Sequence, residues 1–329
     1  MIVEQHILSK KHENYFFLFG NCQLEALGKA IIDVPFRPNG IGYAKNRATF
    51  LSSGSVLFFL DSDDIMSPER INRQIYQAIM SPLAIIGSSW KRFPSGSTVH
   101  FEKWSNLLST NDIFLEQFRE NTIQMPTWSM TRRCFENVGS FKESSPESGE
   151  AEDSIFFYKH LNTHEEYNLF NLKSSLLRTG CHKLPLMLYR WTQHSGTSRV
   201  PRRRLLQVRV SAFEKRILSK STWRRFQIWG AGRDARNFIT ALSDEGKKKI
   251  TVLLDIDKKK IGKFHKVCLF ENALTFDIPI KHFSSARSGM STVVCVAKRR
   301  KGEYIQSNEL EQNISSLGLL EGETLWYFH

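Results

Sequence analysis

The sequence predicts an α/β fold built as two successive units, and three observations carry that reading. The apolar run VLFFL at residues 56–60 lies between Gly54 and a set of acids, as a strand buried on both faces would. Helix and strand then alternate around it. Residues 43–51 read as a helix, Ser67-Pro68 opens another with serine as N-cap and proline at the first helical position, and LAIIG at 83–87 is a second buried strand. Finally, the pattern restarts at Phe226: FQIWGAGRDARNFITAL followed by ITVLLDID reads as strand, glycine-rich turn, helix and strand.

The remaining elements follow in order. FFLF (16–19) and AIIDV (30–34) are candidate short strands, and SIFFYKHL after Asp153 is a helix. Leu206, Val210, Phe213 and Ile217 recur at helical spacing inside a basic stretch. STVVCVA (291–297) and TLWYFH (324–329) are late strands. The expected division is 1–200 for the first domain, 201–222 for a basic amphipathic linker helix, and 223–329 for a smaller Rossmann-like domain.

A chain of 329 residues is long enough for two cores, and 41% hydrophobic with 24% charged residues is ordinary globular composition. No apolar run approaches the ~20 residues of a membrane span, and no signal-peptide pattern opens the chain. The five cysteines are scattered without a CxxC pair, which argues against a disulfide framework or a structural zinc and points to a reducing, cytoplasmic compartment. The net charge of +13 favours a polyanionic partner, nucleic acid or a phosphorylated small molecule. Residues 199–226 hold one acid among ten bases, and KKK at 247–249, KKK at 258–260 and KRRK at 298–301 add to the basic surface. The plainer alternative is a solvated face on an ordinary helix.

The chemistry begins where VLFFL runs into Asp61-Ser62-Asp63-Asp64. Asp61 and Asp63 are two apart and point the same way in extended geometry. Ligands of open α/β sheets sit at the carboxyl ends of strands. Carboxylates gathered there suit a hard divalent cation such as Mg2+ or Mn2+, completed by substrate phosphate oxygens. A second acidic pair, Glu152-Asp153, precedes the SIFFYKHL helix, where the helix dipole favours acids with or without catalysis.

GIGYAKNRATFLSSGSVLFFLDSDDIMSPERINRQ resembles the central motif block of the inverting family-two nucleotide-sugar glycosyltransferases, which have the GT-A fold. AIIGSSWKRFPSGST, FEKWSNLL, QMPTWSMTRRCFENVGSF, EDSIFFYKHL and the unit from Phe226 resemble an animal subgroup assigned as queuosine-tRNA galactosyltransferases. The resemblance implies a UDP-sugar donor held through a divalent metal (Mn2+ or Mg2+), and a tRNA acceptor. It gives Asp61, Lys45, Asn46 and Trp128 to the donor, with Trp128 equally readable as a core residue. It gives Asp63, Asp64 and His194 to the metal, although His194 lies further from Tyr189-Arg190 than the family spacing and is equally readable as a solvated loop residue. Asp153, with Glu152 second, falls on the acid that takes the acceptor's proton. Residues 1–38 show nothing like the family's opening strands and their uracil- and ribose-binding turn, so an incomplete donor pocket is expected, and with it the alternative of a non-catalytic nucleotide- or RNA-binding remnant. N-acetylglucosamine transfer to a β-galactoside is the alternative within the class.

In the second unit Gly230-Ala231-Gly232 has the glycine spacing of a dinucleotide turn, with Asp255 after the next strand where a ribose-binding acid would stand. The alternatives are a turn that binds a nucleotide and a turn kept only for packing. An NAD-dependent oxidoreductase built on it would leave both acid motifs unexplained.

Overall fold

The computed structural model describes residues 15–20, 40–145, 149–165, 176–179, 185–192, 200–270, 274–296 and 309–328. AIIDV, His194 and the KRRK run lie outside them. The chain divides into two compact units, residues 1–110 with 123–201 and residues 111–122 with 202–329. Nothing in the sequence marks 111–122 as part of the second unit.

In the first unit the described elements run β1 (Tyr15–Gly20), α1 (Gly40–Leu51), β2 (Val56–Asp61), β3 (Ile65–Met66), α2 (Arg70–Met80), β4 (Ile85–Ser88), β5 (Trp90–Phe93), α3 (Val99–Leu107), α4 (Thr110–Leu115, mostly in the second unit), β6 (Ser129–Thr131), α5 (Arg132–Val138), α6 (Glu152–Glu165), β7 (Leu176–Thr179) and β8 (Met187–Arg190). Among the described residues one sheet has the order β1-β2-β6-β4-β7 and a smaller one β3-β8-β5. The α/β class is as expected, but the larger sheet is mixed: β6 is antiparallel to both β2 and β4, whereas β1–β2 and β4–β7 are parallel. The FFLF segment is thus a strand beside β2.

Strand β2 is buried on both faces, with Leu57, Phe58 and Phe59 fully inaccessible. One face packs Val56, Phe58 and Leu60 with Ile71, Ala78, Ile86, Trp90 and Met187. On the other, Phe59 meets Phe141 edge-on at 5.5 Å, and Phe141 stacks on Phe156 at 4.4 Å. Helix α2 starts later than Ser67-Pro68: those residues form a turn closed by the Arg70 amide on the Ser67 carbonyl at 3.0 Å, and Glu69 occupies the N-cap position. The helix buries two polar side chains. Arg70 donates to Gln74 Oε1 (2.7 Å) and to the Phe59 and Trp128 carbonyls (2.9 and 3.1 Å), while Gln74 donates to the carbonyls of Ile86 and Thr127 (2.9 and 2.8 Å). Burial lowers the Arg70 pKa to about 9, against the pull of Asp64.

The second unit has β9 (Phe226–Trp229), β10 (Ile250–Asp255), β11 (Phe264–Cys268), β12 (Thr275–His282), β13 (Thr292–Val294) and β14 (Leu325–Tyr327). Its described sheet runs β11-β12-β10-β9-β13-β14, parallel apart from the antiparallel edge strand β11. The predicted basic helix is Arg202–Phe213, continued by a wider π turn over Glu214–Leu218. Val210, Phe213 and Ile217 are buried, and Phe213 sits edge-on to Phe118, Trp223, Phe238 and Phe328. Phe118 belongs to 111–122, so this aromatic cluster is what ties that segment to the unit.

Gly230 closes β9 at φ 110°, and a Cβ there would stand 2.9 Å from Val296 Cγ2 and 3.0 Å from the Cys295 carbonyl. Gly230→Ala is therefore expected to destabilise the protein by about 1–3 kcal/mol, read as a lower urea midpoint at unchanged m. An unchanged midpoint would mean the turn relaxes freely.

Candidate active site

Strand β2 delivers Asp61 as its last residue, and the Asp64 amide donates back to the Asp61 carbonyl at 3.1 Å. That turn leaves Ser62 and Asp63 exposed at its tip and Asp61 half-buried. Asp64 folds inward. It is 8% exposed, its Oδ1 accepts the Arg190 amide at 2.7 Å, and its Oδ2 is buried without a partner. Burial first, and then the Asp61 and Asp63 charges, push its carboxyl up to about 8 against that hydrogen bond. Through Oδ1, Asp64 thus ties the acidic turn to β8.

The second acidic pair reaches the same place through the aromatic stack. Phe156, three residues after Asp153, packs on Phe141, which packs on Phe59, two residues before Asp61. Asp153 Oδ1 accepts its own helix's Ser154 amide at 2.7 Å. Glu152 accepts from Lys45 Nζ at 3.2 Å, with both side chains largely buried. Lys45 also lies 5.3 Å over the Phe141 ring. Helix α1 can bring Lys45 there because Gly42 sits against the Lys142 carbonyl, where a Cβ has no room.

Electrostatics show the two motifs acting on one another. Burial pushes the Asp61 carboxyl up to about 6; Lys45 opposes this, and the charges of Asp63, Glu152 and Asp153 add to it. Asp153 is likewise raised, first by burial and then by Glu152, with Lys45 and the Ser154 hydrogen bonds opposing. A partly buried cluster of carboxylates with one compensating ammonium suits a ligand that brings positive charge.

The structure therefore brings together Lys45, Asp61, Asp63, Glu152 and Asp153. It does not add Asn46, whose amide is consumed by the loop after α5: Nδ2 donates to the Phe141 carbonyl (2.9 Å) and Glu143 (2.8 Å), and Oδ1 accepts the Phe141 amide (2.9 Å). Nor does it add Trp128, which is fully buried against Phe156 and Phe157 and donates Nε1–H to the Ile123 carbonyl at 3.0 Å. The Asn46 side chain is thus engaged within the framework, and the burial of Trp128 favours its core alternative. Tyr189, which served in the sequence only to mark the spacing to His194, pairs in the β5–β8 ladder with Arg92, which the sequence did not single out. The Tyr189 phenol is raised far above its ordinary range, by burial first and also by Asp61, Asp64 and Asp153. The only signal was alternation within WKRF and MLYR, too short to read.

Among the described residues no three His, Cys, Asp or Glu side chains converge as metal ligands. The donor set that remains, exposed Asp63 with half-buried Asp61, fits a cation of the Mg2+ type, which takes one or two carboxylates and fills its shell with water and phosphate oxygens.

In the second unit Asp255 is occupied by its own chain. Its carboxylate accepts the Ala231 amide of the glycine turn (2.9 Å), the Asp257 amide (2.9 Å) and Lys260 (3.0 Å), and those bonds hold its pKa low despite burial. The Ala231 amide of the turn is already bonded and Gly230 is packed against Val296 and Cys295, which favours the packing alternative at Gly230, whereas a Cβ at Gly232 would meet nothing within 4 Å. Of the basic residues expected to grip nucleic acid, Lys247 is buried on Asp244 and the Cys268 carbonyl, Lys249 donates to the Leu218 carbonyl, and Arg216 is buried on Gln117. Arg202 and Arg203 remain exposed.

No described helix is long and apolar enough to cross a membrane. Residues 23–139 match the family described as Glycosyl transferase family 2. Among solved structures, TarS 1–349 from S. aureus in complex with UDP-GlcNAc is similar at 13% identity and TM-score 0.40, over 64% of this chain and 53% of that one. A longer S. aureus TarS structure matches at 10% identity and TM-score 0.37, over 73% and 48%. A mycobacterial protein matches at 14% identity and TM-score 0.28, over 76% and 64%. The chain thus spans about half the length of the TarS chains. The likeness to Glycosyl transferase family 2 covers α1, β2, the acidic turn and the elements through α5, and stops short of Glu152 and Asp153.

Proposed function

We propose that the chain is a metal-dependent, inverting GT-A glycosyltransferase that moves a sugar from a UDP-sugar to an acceptor hydroxyl. The observation that carries this reading is the meeting of the β2 acids with Glu152-Asp153 around Lys45, although the two motifs are some 90 residues apart. Asp61 and Asp63 would hold the divalent cation, which when bound neutralises charge on the diphosphate. Asp153 takes the acceptor proton as the hydroxyl oxygen bonds to the anomeric carbon; the carbon–phosphate-oxygen bond breaks and UDP leaves with the electron pair. Lys45 holds Glu152 in place, so one acid of the pair stays neutralised while the other works.

By the sequence resemblance, the donor is UDP-galactose, the acceptor is queuosine in tRNA, and the setting is cytoplasmic. The +13 charge and exposed Arg202 and Arg203 favour a polyanionic acceptor. The test is transfer by the full chain from UDP-galactose with Mn2+ to queuosine-containing tRNA, beside UDP-N-acetylglucosamine with a β-galactoside. Product with the second pair alone would replace the first assignment; product with neither would favour the non-catalytic reading. Asp63→Ala is expected to abolish Mn2+-dependent donor binding, measured by calorimetry with and without EDTA. Metal-dependent binding that survives in this variant would move the cation elsewhere.

A further inference from the structure

We infer that Arg92 is a phosphate-binding residue of this site. Its side chain is 8% exposed and sits among rings, with Cζ 4.1 Å from the Tyr189 ring centroid, 5.0 Å from Trp90 and 6.0 Å from Phe101. Nε donates to Thr98 Oγ1 at 2.9 Å. Thr98 holds that position at φ 48°, in the left-handed region where a β-branched residue is strained. The guanidinium is therefore fixed in orientation by four neighbours.

What it lacks is an anion. Among the described residues no carboxylate pairs with the guanidinium within 4 Å, since the nearby Glu102 Oε2 accepts the Arg92 backbone amide at 2.7 Å, and the terminal nitrogens are not among the buried, unpartnered atoms. Burying an arginine beside rings offsets part of its desolvation but leaves the fork of N–H groups unused. A pre-oriented fork of this kind matches two phosphate oxygens. Its location gives the phosphate a context, because Arg92 acts on Asp64 and on Tyr189, and Tyr189 in turn feels Asp61 and Asp153. The phosphate belongs either to the donor's diphosphate or to the acceptor; only that choice rests on the transferase reading.

The experiment is calorimetry on the full chain in EDTA with inorganic pyrophosphate, UDP, uridine and a short single-stranded RNA. Wild-type protein is expected to bind a phosphate-bearing probe, and Arg92→Met to weaken that binding at least about tenfold, with Arg92→Lys in between because it keeps charge without the fork. A loss confined to UDP and pyrophosphate assigns the donor; a loss confined to RNA assigns the acceptor. Wild-type binding of none of these probes, or unchanged binding by a folded Arg92→Met, overturns the inference. If Arg92→Met does not fold, Thr98→Ala, which frees the guanidinium while keeping it, must weaken the same probe; unchanged binding there overturns it too. The measurement in EDTA leaves the cation out, so it fails separately from the metal-dependent transfer proposed above.

Discussion

Asp153→Asn is expected to keep donor affinity and lose turnover by about 10²–10⁴-fold, the usual contribution of a positioned general base. Asparagine preserves the shape and can still accept the Ser154 amide at the head of α6 through its carbonyl oxygen. It cannot take a proton. The pH dependence gives a second readout. Burial and Glu152 hold the Asp153 carboxyl above the ordinary carboxylate value of about 3.9. A base works unprotonated, so kcat should be full above the raised pKa and fall as pH drops through it, giving an acid limb displaced upward from that of an ordinary carboxylate. The variant should lack that limb. Near-normal transfer by Asp153→Asn would shift the role to Glu152, and Glu152→Gln would then carry the loss.

Trp128→Ala should cost about 3–5 kcal/mol of stability, the range for emptying a large aromatic site in a core. Trp128 is wholly inaccessible, lies against Phe156 and Phe157, and its indole N–H is satisfied by the Ile123 carbonyl. Trp128→Phe retains much of that packing and loses the hydrogen bond, and about 1–2 kcal/mol is expected. Chemical denaturation of both, with donor affinity measured on the phenylalanine variant, separates framework from binding. Unchanged stability together with weakened donor affinity would restore a ligand-stacking role.

The acids were legible because their signal is local: charge against a long apolar run, or charge opening a helix. Their convergence was not, since it is made by Phe59, Phe141 and Phe156, three ordinary core residues until the chain is folded. The mixed sheet was hidden for a related reason. Strand β6 has three residues, too few to show a period, and its direction is set by β2 and β4 on either side. Asn46, Lys247 and Asp255 all looked like groups awaiting a ligand, and each is satisfied by a distant part of its own unit. Polar residues advertise hydrogen-bonding capacity in a sequence, but what uses it is a tertiary fact.

The Arg70–Gln74 pair has a consequence for the order in which the first unit assembles. Its acceptors lie on β2, on β4 and on residues 127 and 128, so one turn of α2 waits on segments that are synthesised up to some 55 residues later. Until residues 127–131 arrive, a buried guanidinium has lost water and gained only part of its replacement. A nascent chain ending before them should therefore leave α2 undocked and its cationic side chain in solvent, and the acidic turn between β2 and α2 would take its final form only when β6 slots in.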